Sequence, residues 1–310
     1  MRRLLLVANP AASGFTGALH REITAILTGP YEVEAVWPTS PEEVRRQAAE
    51  AAADGFHLVV ALGGDGVAHH AANGLVGTVT GLGLIPAGST NVLAKILGLP
   101  RRPKAAARFL AAHPPLRTVP MAHLLTDSLH GTRSDHALFA SGLGFDAEVV
   151  EQAERQPFRK LRFGAVHYAR SASWVLWSRF RARPANLRVE MEGRQADAVG
   201  VLVQVRHPYT FFGRLPLSVS RHSTDGLSVL IIERLGVLRA PAMLYRAARG
   251  PSMEGIPGLQ VWTGCHKLVV EAEPACWVQS DGELLGPAAR VEVARVSDRL
   301  LVTVPAGHSP

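Results

Sequence analysis

The sequence predicts two domains of different class: an α/β N-terminal domain with a parallel sheet, then a β-rich antiparallel sandwich. Three observations carry that prediction. Up to about residue 112, short apolar runs alternate with helix-spaced segments, the pattern of strands joined by crossover helices. Beyond it, β-rich runs dominate, separated by turn signals such as Glu192-Gly193, Asp225-Gly226 and Asp281-Gly282. Between the two, Pro114, Pro115 and Pro120 cluster. The expected domains are residues 1–116 and 117–310, with the final residues able to pack back on the first domain.

Taken in order, Leu4 to Ala8 reads as a buried strand that empties into a glycine-bearing loop from Asn9 to Gly17. Leu19, Ile23, Ile26 and Leu27 recur at helical spacing until Gly29-Pro30 breaks them. Val33 to Trp37 alternates as a strand. Ser40 can cap the next helix, Pro41 suits its first position, and Glu43 completes a capping box. Asp54-Gly55 stops that helix near Ala53. Leu58 to Leu62 is five consecutive apolar residues, a strand buried on both faces. Gly63-Gly64-Asp65-Gly66 ends it, and Ala68 to Leu75 reads as a helix. Leu82 to Ile85 is the next strand, Pro86 to Asn91 its exit loop, and Val92 to Leu97 begins another helix. Pro103 starts one more, to Ala112. The second half offers strands at His136–Ser141, Leu187–Glu190, Val199–Val205, Leu215–Val219, Leu227–Ile232, Lys267–Glu271, Cys276–Gln279, Val291–Val296 and Leu300–Val304. Helical spacing there is confined to Phe163–Phe180.

Composition bounds what such a chain can do. With 310 residues, 47% of them apolar and 19% charged, it can build two ordinary cores. Two cysteines, Cys265 and Cys276, form neither a disulfide framework nor a metal-site spacing, which suits a reducing cytosol. The thirteen histidines show no ligand cluster. The apolar run after Arg2-Arg3 is too short for a secretory signal, and no stretch reaches transmembrane length. The expected location is therefore cytoplasmic, with any membrane contact peripheral.

The net charge of +7 points to anionic partners. Arg155, Arg159, Lys160, Arg162, Arg170, Arg179, Arg181 and Arg183 crowd one region, interleaved with Tyr168, Trp174, Trp177 and Phe180. An anionic membrane interface and a solvated arginine-rich helix face both fit. No nucleic-acid module accompanies the patch, so nucleic acid is not an expected partner. An exposed edge strand could pair two copies as a homodimer.

Parallel sheets bind ligands beyond the carboxyl ends of their strands. Three strands empty there into polar, glycine-rich loops at Asn9, Gly63 and Gly88. Behind Gly63-Gly64-Asp65-Gly66 a helix start supplies unpaired N–H groups and partial positive charge, an anion site for which phosphate is the usual ligand. Asp65 would repel a bare phosphate; it fits if Mg²⁺ lies between them or if it handles a proton. A tight strand-to-helix turn with a solvated Asp65 accounts for the same residues. Ser89, Thr90 and Asn91 offer further donors, or helix caps. In the second half, Asp281-Gly282 between two strands is a favoured hairpin turn.

Six segments together resemble the diacylglycerol kinase catalytic family, which includes bacterial lipid kinases, sphingosine kinases and ceramide kinases. They are Asn9-Pro10 with Ser13-Gly14, Gly63-Gly64-Asp65-Gly66, Pro86-Ala87-Gly88-Ser89-Thr90-Asn91, Ser141-Gly142-Leu143-Gly144-Phe145-Asp146-Ala147, Asp225-Gly226-Leu227 and Asp281-Gly282-Glu283. The resemblance implies an α/β domain like that of NAD kinases and diacylglycerol kinases, and an ATP-dependent lipid kinase using Mg²⁺. It implies nucleotide contacts from Asn9, Thr39, Gly63, Gly64, Asp65, Gly66, Val67, Gly88, Ser89 and Asn91. Mg²⁺ would be held at Asp65 through the nucleotide. Glu283 would be the general base, with Asp65 acting beside it, and a lipid hydroxyl, most simply that of diacylglycerol, would be the acceptor. Membrane contact would fall to Arg159, Lys160, Arg162 and Arg170.

Some positions depart from the family pattern. Val67 stands where a threonine is usual, Val92 where an aspartate is usual, and His70 where an acidic residue is frequent. Ser228-Val229 replaces the approach to a second aspartate, so a structural Mg²⁺ at Asp225 does not carry over whole. Arg206 to Gly213 lacks the usual asparagine and glycine cluster. Two other functions therefore stay open: a kinase for a sphingoid or other hydroxyl acceptor, and a non-catalytic nucleotide- or lipid-binding protein.

Overall fold

A computed structural model of the chain describes residues 1–129, 131–155, 170–180, 183–213, 215–221, 225–234, 236, 240–297 and 299–307. The chain divides into two compact units: Met1–Pro120 with the returning tail from Ser297, and Met121–Val296.

In the first unit the elements run β1 (Arg2–Ala8), α1 (Gly17–Leu27), β2 (Tyr31–Val36), α2 (Pro41–Ala53), β3 (Leu58–Gly63), α3 (Asp65–Leu75), β4 (Gly81–Pro86), α4 (Val92–Ile96), α5 (Pro103–Ala111) and β5 (Leu116–Thr118). The sheet order is β2-β1-β3-β4, with every pair parallel. The tail strand Leu301–Thr303 then adds parallel to β4, and β5 closes the edge antiparallel to it. One face of the sheet presents Leu4, Leu6, Leu58, Val60 and Leu62 to Ile23, Leu27, Ala106 and Leu110 of α1 and α5. The alternate residues Leu5, Val7, Val59 and Ala61 are buried too, so both faces are covered, as continuous apolar strands require. Each of these leucine, isoleucine and valine side chains contributes roughly 1.5–3 kcal/mol by leaving water. At α2 the expected capping box forms with one change. The Ser40 Oγ accepts from Glu43 N, but the Glu43 carboxylate reaches back to Thr39, one residue before the cap.

The second unit holds β6 (Met121–Ser128), β7 (Gly131–Ala137), β8 (Ala140–Gly144), α6 (Phe145–Glu154), β9 (Leu187–Met191), β10 (Arg194–Ala198), β11 (Gly200–Gln204), β12 (Thr210–Phe212), β13 (Leu215–Leu217), β14 (Leu227–Ile232), α7 (Ala240–Arg249), β15 (Leu259–Cys265), β16 (Lys267–Ser280) and β17 (Glu283–Val296). The sheet is antiparallel throughout, in the order β15-β14-β11-β8-β16-β17-β6-β7. β16 changes neighbours along its length: its first half pairs β9 and its last residues pair β8.

Sequence periodicity misses α6, and the reason is visible. Ala147, Glu148, Val149, Val150, Glu151 and Ala153 are all buried, so two glutamates lie among the covered residues and polar type does not mark the solvent face. The expected strand His136–Ser141 is interrupted at Leu138 and Phe139, whose N–H groups go to the Asp281 carboxylate instead of a neighbouring strand. Much of the expected helical stretch Phe163–Phe180 lies outside the described residues. Residues 170–180 are helical and end in a π-helical turn, Leu176–Phe180.

Candidate active site

The three loops singled out in the first unit are bonded to one another. Asn9 N donates to Leu62 O at 3.1 Å, and Gly14 N donates to Ala87 O at 2.8 Å. Gly63 O accepts from Ala87 N at 2.8 Å and from Gly88 N at 3.1 Å. The β3 and β4 exits touch backbone to backbone: a Cβ on Gly88 would lie 2.5 Å from the Gly64 Cα, so only glycine fits there. Asn91 closes the second loop from a left-handed conformation (φ 50°), its amide bridging Gly88 N and Gly88 O. The Asn9 Oδ1 accepts from Ala11 N at 2.9 Å in the same manner. Both asparagines therefore shape the loops. Ser89 is exposed between them.

Asp65 begins α3, behind Gly64, which has no side chain to cap that helix. Its carboxylate reaches the start of another helix: Oδ2 accepts from Val92 N at 2.9 Å and Oδ1 from Leu93 N at 3.1 Å. Asp65 is thus the cap of α4, whose own cap residue Asn91 contributes no side-chain bond. A carboxylate offers acceptor oxygens of the hard type that Mg²⁺ or a Mg²⁺-bound water takes. One carboxylate plus substrate phosphates is a common donor set for that ion, and the site fits it. Val67 and Val92 are 7% and 4% exposed. Val67 packs over Gly63, where any side chain would meet it at 3.0 Å. Lys95, which sequence reasoning did not single out, is half-buried on α4. Burial pushes its ammonium below the ordinary lysine value, while the nearby Asp65 charge opposes that shift. Thr39 follows the carboxyl end of β2, its N–H and hydroxyl both donating to Glu43.

In the second unit Asp281 and Gly282 form a two-residue hairpin turn with φ of 53° and 89°, and Glu283 follows opposite Ser280. Asp281 is 4% exposed, and its carboxylate accepts from the N–H groups of Leu138, Phe139 and Ala140 at 2.7, 2.9 and 3.1 Å. Glu283 is half-buried. Behind it, Gln279, Asp146 and Tyr209 form a buried network. Burial pushes the Asp146 carboxyl above its ordinary value, while Tyr209 and Gln279 pull it back. Burial and the Asp146 charge hold the Tyr209 hydroxyl well above the tyrosine range. Asp146 and Gln279 lay within quoted sequence segments; Tyr209, far from both in sequence, gave no signal.

Asp225 is strongly exposed and forms an ion pair with Arg295 at 3.2 Å. Among the described residues no group of three acidic, histidine or cysteine side chains could hold a metal. Of the membrane candidates, Arg159, Lys160 and Arg162 lie outside the described residues, and Arg170 is exposed. Arg179 and Arg183 are partly buried against Glu148 and Glu151, two glutamates buried on α6, which withdraws them from the solvated basic surface expected of the whole region, while Arg155 pairs with Glu151 and stays exposed. No helix among the described residues is long and apolar enough to cross a membrane.

A parallel sheet whose strands end in mutually bonded glycine loops is an architecture suited to phosphate groups, and comparison with known proteins points to lipid kinases. The model of the diacylglycerol kinase catalytic domain matches residues 3–122. A diacylglycerol kinase of Mycobacterium tuberculosis is 26% identical over 270 residues, 85% of this chain and 82% of that protein. A diacylglycerol kinase of Bacillus subtilis is 33% identical over 105 residues, 33% of this chain and 35% of that protein. The fold is that of a diacylglycerol kinase crystal structure from Bacillus anthracis, with a TM-score of 0.68 at 17% identity, covering 98% of this chain and 97% of that one. The chain is thus similar to diacylglycerol kinases and related lipid kinases, with the match to the catalytic-domain model confined to residues 3–122.

Proposed function

We propose that the protein transfers the γ-phosphoryl group of ATP to the free hydroxyl of a diacylglycerol. The observation that carries this reading is the bonded set of three strand-exit loops around Asp65, joined with relatives named diacylglycerol kinase. Gly64, Gly66 and Val67 would meet the phosphates with the uncapped N–H groups of α3, and Ser89 would add a hydroxyl. Asp65 would hold Mg²⁺, which when bound neutralises charge developing on the phosphoryl oxygens. The lipid oxygen attacks phosphorus, the bond to the bridging oxygen of ADP breaks, and the proton of the hydroxyl passes to the Glu283 carboxylate. Exposed Arg170, with Trp174 and Trp177 on the same helical segment at 48% and 61% exposure, supports peripheral contact with an anionic membrane.

The test is transfer of labelled phosphate from γ-labelled ATP to a total lipid extract in mixed micelles with Mg²⁺. Labelled phosphatidic acid that disappears with Glu283→Gln supports the reading; a different labelled lipid reassigns the acceptor. Val67 and Val92, both apolar and buried where family members carry polar side chains, favour one second reading, a non-catalytic nucleotide- or lipid-binding protein. ATP binding without any labelled lipid would establish that one instead.

A further inference from the structure

We propose that Gln279, Asp146 and Tyr209 are positioning residues that set the Asp281-Gly282-Glu283 turn and thereby aim the Glu283 carboxylate. This rests on the reading of Glu283 as the proton acceptor. The Gln279 Nε2 donates to Asp146 Oδ2 at 2.7 Å and to the Tyr209 hydroxyl at 3.1 Å, and that hydroxyl donates to Asp146 Oδ2 at 2.7 Å. The other end of the amide, Oε1, accepts from Gly282 N at 2.7 Å. Gly282 N–H can only donate, so the amide has one orientation, and the network reads in one direction from Asp146 to the residue before Glu283. Gly142 makes the arrangement possible: a Cβ there would lie 2.1 Å from Asp146 Oδ2.

The strand ladder alone does not hold this turn. Ser280 pairs Glu283 and Gln279 pairs Leu284, but Val278 pairs Gly286, so an extra residue, Leu285, interrupts the register two residues after Glu283. Side chains take over on both flanks. The Asp281 carboxylate binds the 138–140 backbone on one side, and Gln279 holds Gly282 on the other. A half-buried carboxylate, a buried phenol and a buried amide converging on one peptide N–H are costly to desolvate, and an apolar trio would pack as well. What they supply that an apolar trio would not is a direction.

The experiment uses the full chain with Gln279→Met, Tyr209→Phe, Asp146→Asn and Glu283→Gln, and the double variant of Gln279→Met with Glu283→Gln. Misplacing a catalytic group by about an ångström costs up to about 100-fold, so Gln279→Met should lower kcat by roughly 10- to 100-fold. KM for ATP should stay within about twofold, since nucleotide binding is not what the network serves. In the Glu283→Gln background the same change should cost nothing further; an equal extra loss there would show a merely structural role and overturn the proposal. Asp146→Asn keeps an acceptor for Tyr209 and Gln279 and should retain more activity than Gln279→Met. A readout free of catalysis is hydrogen exchange at the Gly282 amide, slow in wild type and fast in Gln279→Met, with Tyr209→Phe intermediate. If wild type transfers no phosphate, the kinase reading falls, yet exchange still decides the network: unchanged exchange at Gly282 in Gln279→Met refutes it.

Discussion

Replacing Asp65 separates its two roles, the structural one visible in the hydrogen bonds and the chemical one proposed for it. The carboxylate caps α4 through two charge-assisted bonds, to Val92 N and Leu93 N. A bond to a charged group contributes about 1.5–3 kcal/mol when enclosed, and a helix cap about 0.5–2 kcal/mol. Asp65 is only partly buried, so the lower end applies to each bond, and Asp65→Ala should cost about 2–3 kcal/mol. Asp65→Asn keeps one carbonyl acceptor and should cost about 1 kcal/mol. Because the loss falls at the start of α4, amide exchange over residues 92–97 measures it. Exchange there should accelerate by roughly 30- to 150-fold with Ala and about fivefold with Asn, with far less change in β1 and β3. Phosphoryl transfer should fall in both, since either substitution removes the charge offered to Mg²⁺. Exchange at 92–97 left unchanged by Asp65→Ala, in protein that has lost transfer, would refute the capping argument and assign the carboxylate wholly to the phosphates.

Glu283→Gln should reduce lipid phosphorylation by about 10²- to 10⁴-fold while leaving ATP affinity intact, measured by initial rates beside equilibrium nucleotide binding. Glu148→Ala removes the glutamate bonded to Arg183 and one of the two bonded to Arg179, and should destabilise the second unit by about 3 kcal/mol in urea unfolding. Burial pushes the Cys265 thiol up to about 12 and the Cys276 thiol up to about 11, so neither should react with a disulfide reagent at pH 8 until urea unfolds the chain. Burial also pushes the imidazoles of His20, His57 and His207 below their ordinary value of 6.5. Each folded ring therefore binds its proton less readily than the unfolded one. The stability they contribute is complete above pH 6.5 and is lost as pH falls through their folded values. Urea midpoints should drop below pH 6.5, and His57→Gln should make that drop shallower.

The sequence by itself determined the parallel strands, the glycine loops that end them and the Asp281-Gly282 turn, because each depends on neighbours a few residues away. Five apolar residues before Gly63 make a buried strand wherever they lie in the chain, and Asp-Gly between two strands makes a tight turn. What only the tertiary structure decided are the partners of charged and polar side chains. Asp65 binds backbone 27 and 28 residues further on, and Asp281 binds backbone more than 140 residues earlier. Glu148 and Glu151 draw in Arg179 and Arg183, which a reading of local charge left in solvent. Helix α6 escaped notice for the same reason, since its buried side includes the charged Glu148 and Glu151 and so shows no apolar period. Hydrophobic periodicity is written locally in the sequence, whereas a buried charge or amide is satisfied by whatever the fold brings to it. That is why the loops and the turn were legible, and why the network behind Glu283 became visible only once strands distant in sequence were paired.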